Sequence, residues 1–139
     1  MNALEALIEL ARFQAITMRR FDQLSVHGLG FNDILVLHIL KQSPLEKLRR
    51  VDLAARVGVT ASGITRLLLP MEKNGWIERE TSTRDARVGF AVLTSAGKRT
   101  YEEAIKTAER IAADLVPENL LTENALASLI DFMNRHWKI

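Results

Sequence analysis

The segment that decides the fold is residues 51–68, VDLAARVGVTASGITRLL. A short run with helical apolar spacing ends at Gly58, and glycine readily takes the left-handed geometry that a helix end needs. Thr60 then offers a hydroxyl to cap a second helix, which continues to about Asn74. Two helices joined by a turn of about three to four residues form a helix-turn-helix.

The second of these helices has two faces of different composition. Ile64, Leu67 and Leu68 recur at helical spacing and predict the face that packs against the first helix. The opposite face carries small or polar side chains, which let a recognition helix approach base edges and phosphates. An ordinary exposed helix face is the alternative interpretation. The residues of this face are Thr60, Ala61, Ser62, Thr65 and Arg66.

Residues 76–94, WIERETSTRDARVGFAVLT, follow directly and predict a β-hairpin. Two β-prone runs flank a polar loop that carries Arg84, Asp85 and Arg87. A basic hairpin tip suits an anionic partner, and its place after a helix-turn-helix indicates DNA. Asp85 has two interpretations: it orients an arginine such as Arg87 through a charge-assisted hydrogen bond, or it serves only the turn.

Helical patterns extend on both sides of this centre, so the predicted fold is mainly α with a small β-hairpin wing. We expect one domain over residues 1–139, with a winged helix-turn-helix lobe at about 31–98. The flanking helices, at about 1–26 and 95–139, carry more apolar surface than a core of this size needs, which favours pairing with a second copy. Folding onto a single monomer is the alternative. The apolar stripes comprise Leu4, Leu7, Ile8, Ala11, Ala104, Ile105, Ala108, Ile111, Leu115, Leu126, Leu129, Ile130, Met133 and Trp137.

Charge is distributed unevenly along the chain. Residues 45–99 contain 11 Lys and Arg against 6 Asp and Glu, whereas the rest contains 8 against 11. A basic centre with mildly acidic ends fits a nucleic-acid-binding lobe, although a chance fluctuation would give the same counts. No apolar run is long enough to span a membrane, and Glu5 and Glu9 interrupt the N-terminal apolar stretch, so we expect a cytoplasmic protein.

Several chemistries lack the residues they need. The chain has no cysteine, which excludes disulfides and thiolate metal sites. His27, His38 and His136 are too scattered for ligand spacing, so we predict no metal and no other cofactor. The sequence contains no glycine-rich phosphate loop, nucleophile elbow or paired catalytic acids, which argues against an enzyme.

The central segment resembles the MarR family, the multiple-antibiotic-resistance-regulator type of winged helix-turn-helix protein. Three positions depart from the family's pattern: Gly30 and Arg49 replace common capping hydroxyls, and Pro70 lies inside the recognition helix, where we expect a bend. The residues that carry the resemblance are Leu53-Ala54, Thr60, Arg66, Glu72-Lys73, Gly75, Trp76-Ile77, Glu78-Arg79, Asp85, Arg87, Leu93-Thr94 and Gly97.

The resemblance implies a homodimeric regulator of transcription that binds a near-palindromic site on double-stranded DNA. It implies a recognition helix in the major groove, Arg87 in the adjacent minor groove, and repression released by a small-molecule effector. A candidate pocket for an anionic aromatic effector includes Arg12, Arg19 and His38, although Arg19 is also explained as a solvated charge and His38 as a satisfied buried histidine. The alternative function is a winged-helix module that binds protein instead of DNA.

Overall fold

The computed structural model describes residues 1–122 and 124–136 of the chain. Most of these residues are helical, and a small antiparallel sheet completes the fold, so the predicted mainly helical architecture with a β wing is confirmed. Two short 3-10 helices, Phe21–His27 and Pro44–Glu46, connect larger elements. The helices are α1 (Ala3–Arg20), α2 (Phe31–Lys41), α3 (Arg50–Val57), α4 (Ala61–Lys73), α5 (Ser95–Leu115), α6 (Glu118–Thr122) and α7 (Asn124–His136); the strands are β1 (Lys47–Arg49), β2 (Ile77–Thr81) and β3 (Gly89–Leu93).

Local chemistry explains where the central helices begin. The Thr60 hydroxyl accepts a hydrogen bond from the Gly63 amide at 3.0 Å, and the Thr94 hydroxyl accepts one from the Gly97 amide at 3.0 Å. Each bond satisfies an amide that a helix cannot pair internally. The Thr60 cap therefore stands where the sequence predicted it.

At the start of α2, the residue before the helix has no side chain that could cap the unpaired amides. Gly30 precedes the helix, and its own amide donates to the Asp33 carboxylate at 2.8 Å. An acidic residue in the first turn also interacts favourably with the positive end of the helix dipole. The glycine that replaces a hydroxyl cap is thus partly compensated from inside the helix.

The first helix ends earlier than its apolar pattern predicted. Helix α1 stops at Arg20, and the segment from Phe21 to His27 continues as a 3-10 helix. Phe21 and Leu24 are both buried, and residues three apart share one face of a 3-10 helix, which turns both toward the core. Packing of these two side chains favours the tighter helix over a continued α1.

The sheet has three strands where the sequence predicted two. Its order is β1-β3-β2, and Leu48 pairs with Ala91 while Ile77 pairs with Leu93. Strand β1 is only three residues long, and it forms because β3 offers a free edge. A segment of that length carries too little alternation to be recognised from sequence.

The core surrounds α2, which lies against α3, α5, the sheet and the first 3-10 helix. The apolar face of α5 is buried within the chain, since Ala104, Ala108 and Ile111 are all inaccessible or nearly so. Helices α1, α6 and α7 contribute no buried residue. The surplus apolar surface therefore lies on α1, α6 and α7 and not on α5. Trp137, the last residue of the predicted stripes, lies outside the described residues.

No helix in the described part of the chain combines the length and apolarity needed to cross a lipid bilayer.

Candidate nucleic-acid interface

The turn between α3 and α4 is fixed by its backbone. Gly58 follows α3 with a φ of 84° and donates its amide to the Ala54 carbonyl at 2.9 Å, as a left-handed helix end requires. Gly63 is a second tightly packed glycine in this turn, which the sequence analysis missed. A Cβ on Gly63 would stand 3.1 Å from the Cβ of Val59, so a side chain there would crowd the turn.

All five candidate contact residues on α4 and its cap are exposed to solvent. The Thr65 hydroxyl donates to the Ala61 carbonyl oxygen at 3.1 Å, which leaves its oxygen lone pairs available as acceptors. Arg66 lies at the edge of a groove, and its side chain has no hydrogen-bond or ion-pair partner in residues 1–122 and 124–136. An unpaired guanidinium on an exposed helix face is free to bind an external acceptor.

Pro70 lies three residues before the end of α4, and the helix continues through it to Lys73. Its missing amide would have donated to the carbonyl of Arg66, four residues earlier. Pro70 itself is exposed. The first two turns of α4, which carry the candidate contacts, precede the proline.

The tip of the wing is organised by Ser82, a residue that the sequence analysis did not single out. Its hydroxyl accepts from the amides of Arg84 and Asp85 at 3.2 and 3.4 Å, and its amide donates to the Val88 carbonyl at 2.9 Å. A serine opening a polar turn is the sequence signal for such bonds. The tip is therefore a defined turn that presents Arg84 and Arg87 outward.

Asp85 holds Arg87 through two side-chain bonds. Nε of Arg87 donates to Oδ1 at 3.1 Å, and a terminal nitrogen donates to Oδ2 at 3.2 Å. The Arg87 amide also donates to Oδ1 at 3.0 Å. The Arg87 side-chain bond, then the backbone bond, lowers the pKa of Asp85 below its ordinary value, so the carboxylate stays charged at neutral pH. Arg87 nevertheless remains 91% exposed, with part of its guanidinium facing solvent.

A concave surface separates the wing from the start of α3, and we call it the arginine cleft. Its volume is about 440 Å³. The Arg50 side chain passes close to Gly89, since a Cβ on that glycine would stand 3.2 Å from the arginine Cδ. A terminal guanidinium nitrogen of Arg50 lies 2.9 Å from Oε1 of Glu72 on α4. The cleft is lined by Arg49, Arg50, Val51, Arg79, Thr81, Ala86, Arg87, Val88 and Gly89.

The base of the wing is joined to α5 by a close backbone approach. The Thr94 hydroxyl lies 2.6 Å from the Gly75 carbonyl oxygen, which links the end of α4 to the start of α5. A Cβ on Gly97 would overlap the Trp76 carbonyl group, so only glycine fits there. This contact fixes the wing against the rest of the lobe, and it gives Gly97 of the sequence pattern a structural reason.

The candidate effector residues do not share one pocket. Arg12 lies on α1 and pairs with Glu9 at 3.6 Å, with both side chains mostly exposed. Arg19 lines a groove of about 380 Å³ beside α4, which also contains Arg66. His38 lines a separate apolar groove between α2 and α5. The structure therefore brings Arg19 near Arg66 and keeps the other two candidates apart.

His38 is exposed, contrary to the buried position expected from its place in an apolar helix. It faces the groove between α2 and α5, where its Nδ1 lies 2.8 Å from the Tyr101 hydroxyl. Burial, and after it the charge of Glu109, raises the pKa of Tyr101, so the hydroxyl stays protonated at neutral pH. The imidazole is thus satisfied, as expected, but not buried.

The three histidines lie on three different elements, and each contacts a different partner: His27 contacts Thr107, His38 contacts Tyr101, and His136 contacts the Phe132 carbonyl. Within residues 1–122 and 124–136, no group of three or more His, Asp or Glu side chains is arranged to hold a metal ion.

Comparison with known proteins decides the family. A family model described as MarR family matches residues 32–88, which run from α2 through the wing tip. The segment that this model matches is of the MarR family. The resemblance inferred from the sequence is therefore confirmed.

The proteins to which this chain is similar include transcriptional regulators. The transcriptional regulator AdcR of Streptococcus pneumoniae is 29% identical over 101 residues, which span 67% of this chain and 69% of AdcR. Sco3205, a MarR family transcriptional regulator from Streptomyces coelicolor solved in complex with DNA, has a TM-score of 0.80 at 25% identity, covering 96% and 89% of the two chains. AbsC from the same organism has a TM-score of 0.76 at 25% identity, covering 99% and 98%.

Proposed function

We propose that this chain is a sequence-specific, double-stranded DNA-binding regulator of transcription that acts as a homodimeric repressor. The observation that carries the proposal is the joint exposure of the α4 face and the wing arginines on one winged-helix lobe. The solved relative Sco3205, similar over nearly the whole chain, is in complex with DNA, and this supports the same partner here.

In this proposal α4 enters the major groove. Its first two turns offer hydroxyls at Thr60, Ser62 and Thr65 and a small side chain at Ala61, which together permit a close approach to the bases. Arg66 provides a planar fork that fits either a guanine edge or a phosphate. Among the described residues the Arg66 side chain has no partner, and this supports an external one.

The wing would follow the backbone to the adjacent minor groove. A narrow A·T-rich minor groove has enhanced negative potential and attracts an inserted arginine. Arg87 is the proposed insertion, because Asp85 restricts its side chain while leaving it exposed. Arg84 at the tip has no such support and is proposed only as a phosphate contact.

The terminal helices would form the dimer. Leu4, Leu7 and Ile8 of α1 and Ile130 and Met133 of α7 are large apolar side chains left exposed to solvent. Pairing with a second copy would bury them and place two α4 helices about one turn of DNA apart, which suits a near-palindromic site.

An effector would release the DNA by acting on Arg66. An anionic aromatic molecule in the groove that holds Arg19 and Arg66 would contact both guanidinium groups and withdraw Arg66 from DNA. In the test, salicylate serves as the probe against a preformed protein–DNA complex. We expect salicylate to lower DNA affinity in the wild type but not in Arg19→Ala; equal effects on both proteins would reject this site.

The main test is a fluorescence-anisotropy titration of the protein with a selected duplex over a series of salt concentrations. Phosphate contacts release counterions, so affinity should fall steeply as salt rises. Arg87→Ala should weaken specific binding by about 1–3 kcal/mol while the melting temperature changes only slightly. Arg110→Ala, on α5 and outside the interface, is the charge-matched control. A flat salt response would reject DNA binding, and wild-type affinity in Arg87→Ala would reject the role of the wing.

The alternative is a winged-helix module that binds another protein. It predicts binding insensitive to salt and a dispensable wing tip, so the same titration separates the two functions. The cleft beside the wing favours DNA, because its described lining residues include four arginines and no acidic residue.

A further inference from the structure

The arginine cleft gathers more positive charge than the wing itself requires. Four arginines line it, and none of the described residues in its lining is acidic. Like charges that line one cleft repel one another, and a bound anion would reduce this repulsion. The lining therefore favours an anionic ligand.

The four arginines fall into two pairs with different partners. Arg50 is bound to Glu72 and Arg87 to Asp85, so carboxylates outside the cleft already neutralise these two. The side chains of Arg49 and Arg79 have no ion-pair or hydrogen-bond partner in residues 1–122 and 124–136, and both residues are exposed. The charge available to a ligand in this cleft is that of Arg49 and Arg79.

The register of the sheet explains how Arg79 reaches this position. Ile77 pairs with Leu93 in the core, and Thr81 pairs with Gly89 at the far end of the same strands. Since alternate residues share a face, Arg79 and Thr81 extend the core-facing side of the sheet outward into the cleft. Gly89 has no side chain to fill the bottom of the cleft, and the Thr81 hydroxyl adds a hydrogen-bond donor.

The beginning of α3 contributes to the same surface. Arg49 precedes the helix without any side-chain capping bond, and Val51 in the first turn lines the cleft. Uncapped amides and the positive end of the helix dipole favour an anion at this rim. This contribution is secondary to the arginines, because α3 has only eight residues.

We propose that the arginine cleft binds a phosphate group, and that its occupant is a backbone phosphodiester of the bound duplex. The proposal rests on the proposed function, because the cleft lies between the helix-turn-helix and the wing and shares Arg87 with the wing. A DNA strand that follows the wing passes over it. Arg49 and Arg79 bind the phosphate, while Arg50 positions the cleft through Glu72 and is not itself a ligand.

The decisive experiment compares the salt dependence of duplex binding in two charge-matched double variants. Each phosphate contact adds about 0.9 to the slope of log affinity against log salt, which is about 3.5-fold in affinity between about 50 and 200 mM. Arg49→Ala/Arg79→Ala should lower the slope by about 1 to 2, weakening all duplex sequences equally. Lys106→Ala/Arg110→Ala removes the same charge from exposed sites on α5 and should leave the slope at the wild-type value.

The outcomes separate this inference from the function on which it rests. If the wild type binds DNA with a steep slope and the cleft variant keeps that slope, the cleft is not a DNA site and the inference fails alone. If the wild type shows no salt-dependent binding, the proposed function fails first. Equal losses of slope in both double variants would attribute the effect to net charge and would also overturn the inference.

A second arm tests a free phosphate as the source of the anion. Inorganic phosphate is titrated into the wild type without DNA, against chloride at equal ionic strength, and the amide NMR signals of Val51, Val88 and Gly89 are followed. For a phosphodiester site we expect only small, non-saturating shifts. Saturable shifts at these residues, together with an unchanged slope in the cleft variant, would assign the cleft to a free phosphate and overturn the DNA assignment.

Discussion

The winged-helix lobe and the terminal helices use their apolar residues in opposite ways. Helix α2, at the centre of the lobe, has five buried residues, whereas α1 and α7 have none despite their apolar faces. The apolar residues of the lobe are buried by other side chains of the same lobe. Within the described part of the chain nothing covers the faces of α1 and α7, so their stability depends on a further surface, which we propose is a second copy.

The largest expected effect tests whether the lobe is self-sufficient. Leu53 of α3 is fully buried, and Leu53→Ala should lower the free energy of unfolding by about 2–5 kcal/mol through lost burial and a cavity. Leu7 of α1 is 53% exposed, so Leu7→Ala should change the stability of the monomer little. Urea unfolding at low protein concentration measures both. Equal losses of unfolding free energy in the two variants would show that the two regions do not differ in this way.

The second effect tests whether a second copy of the chain buries the apolar faces of the terminal helices. Replacing Leu7 and Ile8 with aspartate should raise the dimer dissociation constant at least about 100-fold, because each aliphatic side chain contributes about 1.5–3 kcal/mol when buried. Leu45→Asp is the control, since Leu45 is 83% exposed but lies outside these helices. Sedimentation velocity gives the assembly state. A wild type that stays monomeric at micromolar concentration would contradict the dimer.

The third effect compares two ion pairs at the edge of the lobe. The Arg50–Glu72 side chains are 12% and 26% exposed, and those of Lys47–Glu80 are 29% and 48% exposed. Arg50→Ala should therefore cost about 1–3 kcal/mol of folding stability, and Lys47→Ala less than about 1 kcal/mol. Thermal and urea unfolding would show the order. A larger loss of stability in Lys47→Ala would mean that burial does not determine which ion pair contributes more to folding stability.

The fourth effect concerns the start of α4. Thr60→Ala removes the capping bond to the Gly63 amide and should cost about 1 kcal/mol. Thr65→Ala, in the same helix, removes only a bond back to the Ala61 carbonyl and should be nearly neutral. Urea unfolding of the two variants under identical conditions distinguishes a cap from an ordinary threonine. Indistinguishable stabilities would show that the cap does not contribute.

The smallest effect is at the wing tip and depends on pH. Because Arg87 lowers the pKa of Asp85 in the fold, the pair stabilises the fold above the ordinary carboxyl pKa, and this is lost as the pH falls through the lowered pKa. Asp85→Asn should therefore differ slightly from the wild type near neutral pH and converge with it in acid. Melting temperatures over a pH series measure this. A difference that grows in acid would reverse the sign and contradict the proposed pair.

The sequence alone was sufficient for the features that short-range chemistry controls. Gly58 ends α3, Thr60 caps α4, and the polar loop around Asp85 forms the hairpin tip, as predicted. Each depends on residues within a few positions of one another. The role of individual residues in binding, and the division into a lobe with dimerisation helices, stay predictions.

Tertiary structure decided the features that depend on distant partners. Strand β1 exists because Leu48 meets Ala91, the exposure of His38 follows from the groove between α2 and α5, and the apolar face of α5 is buried within the chain. The arginine cleft likewise joins Arg49 and Arg79, which are thirty positions apart in sequence. Local propensity and spacing fix where a helix starts or a turn forms, but only packing decides which side chains meet across the chain.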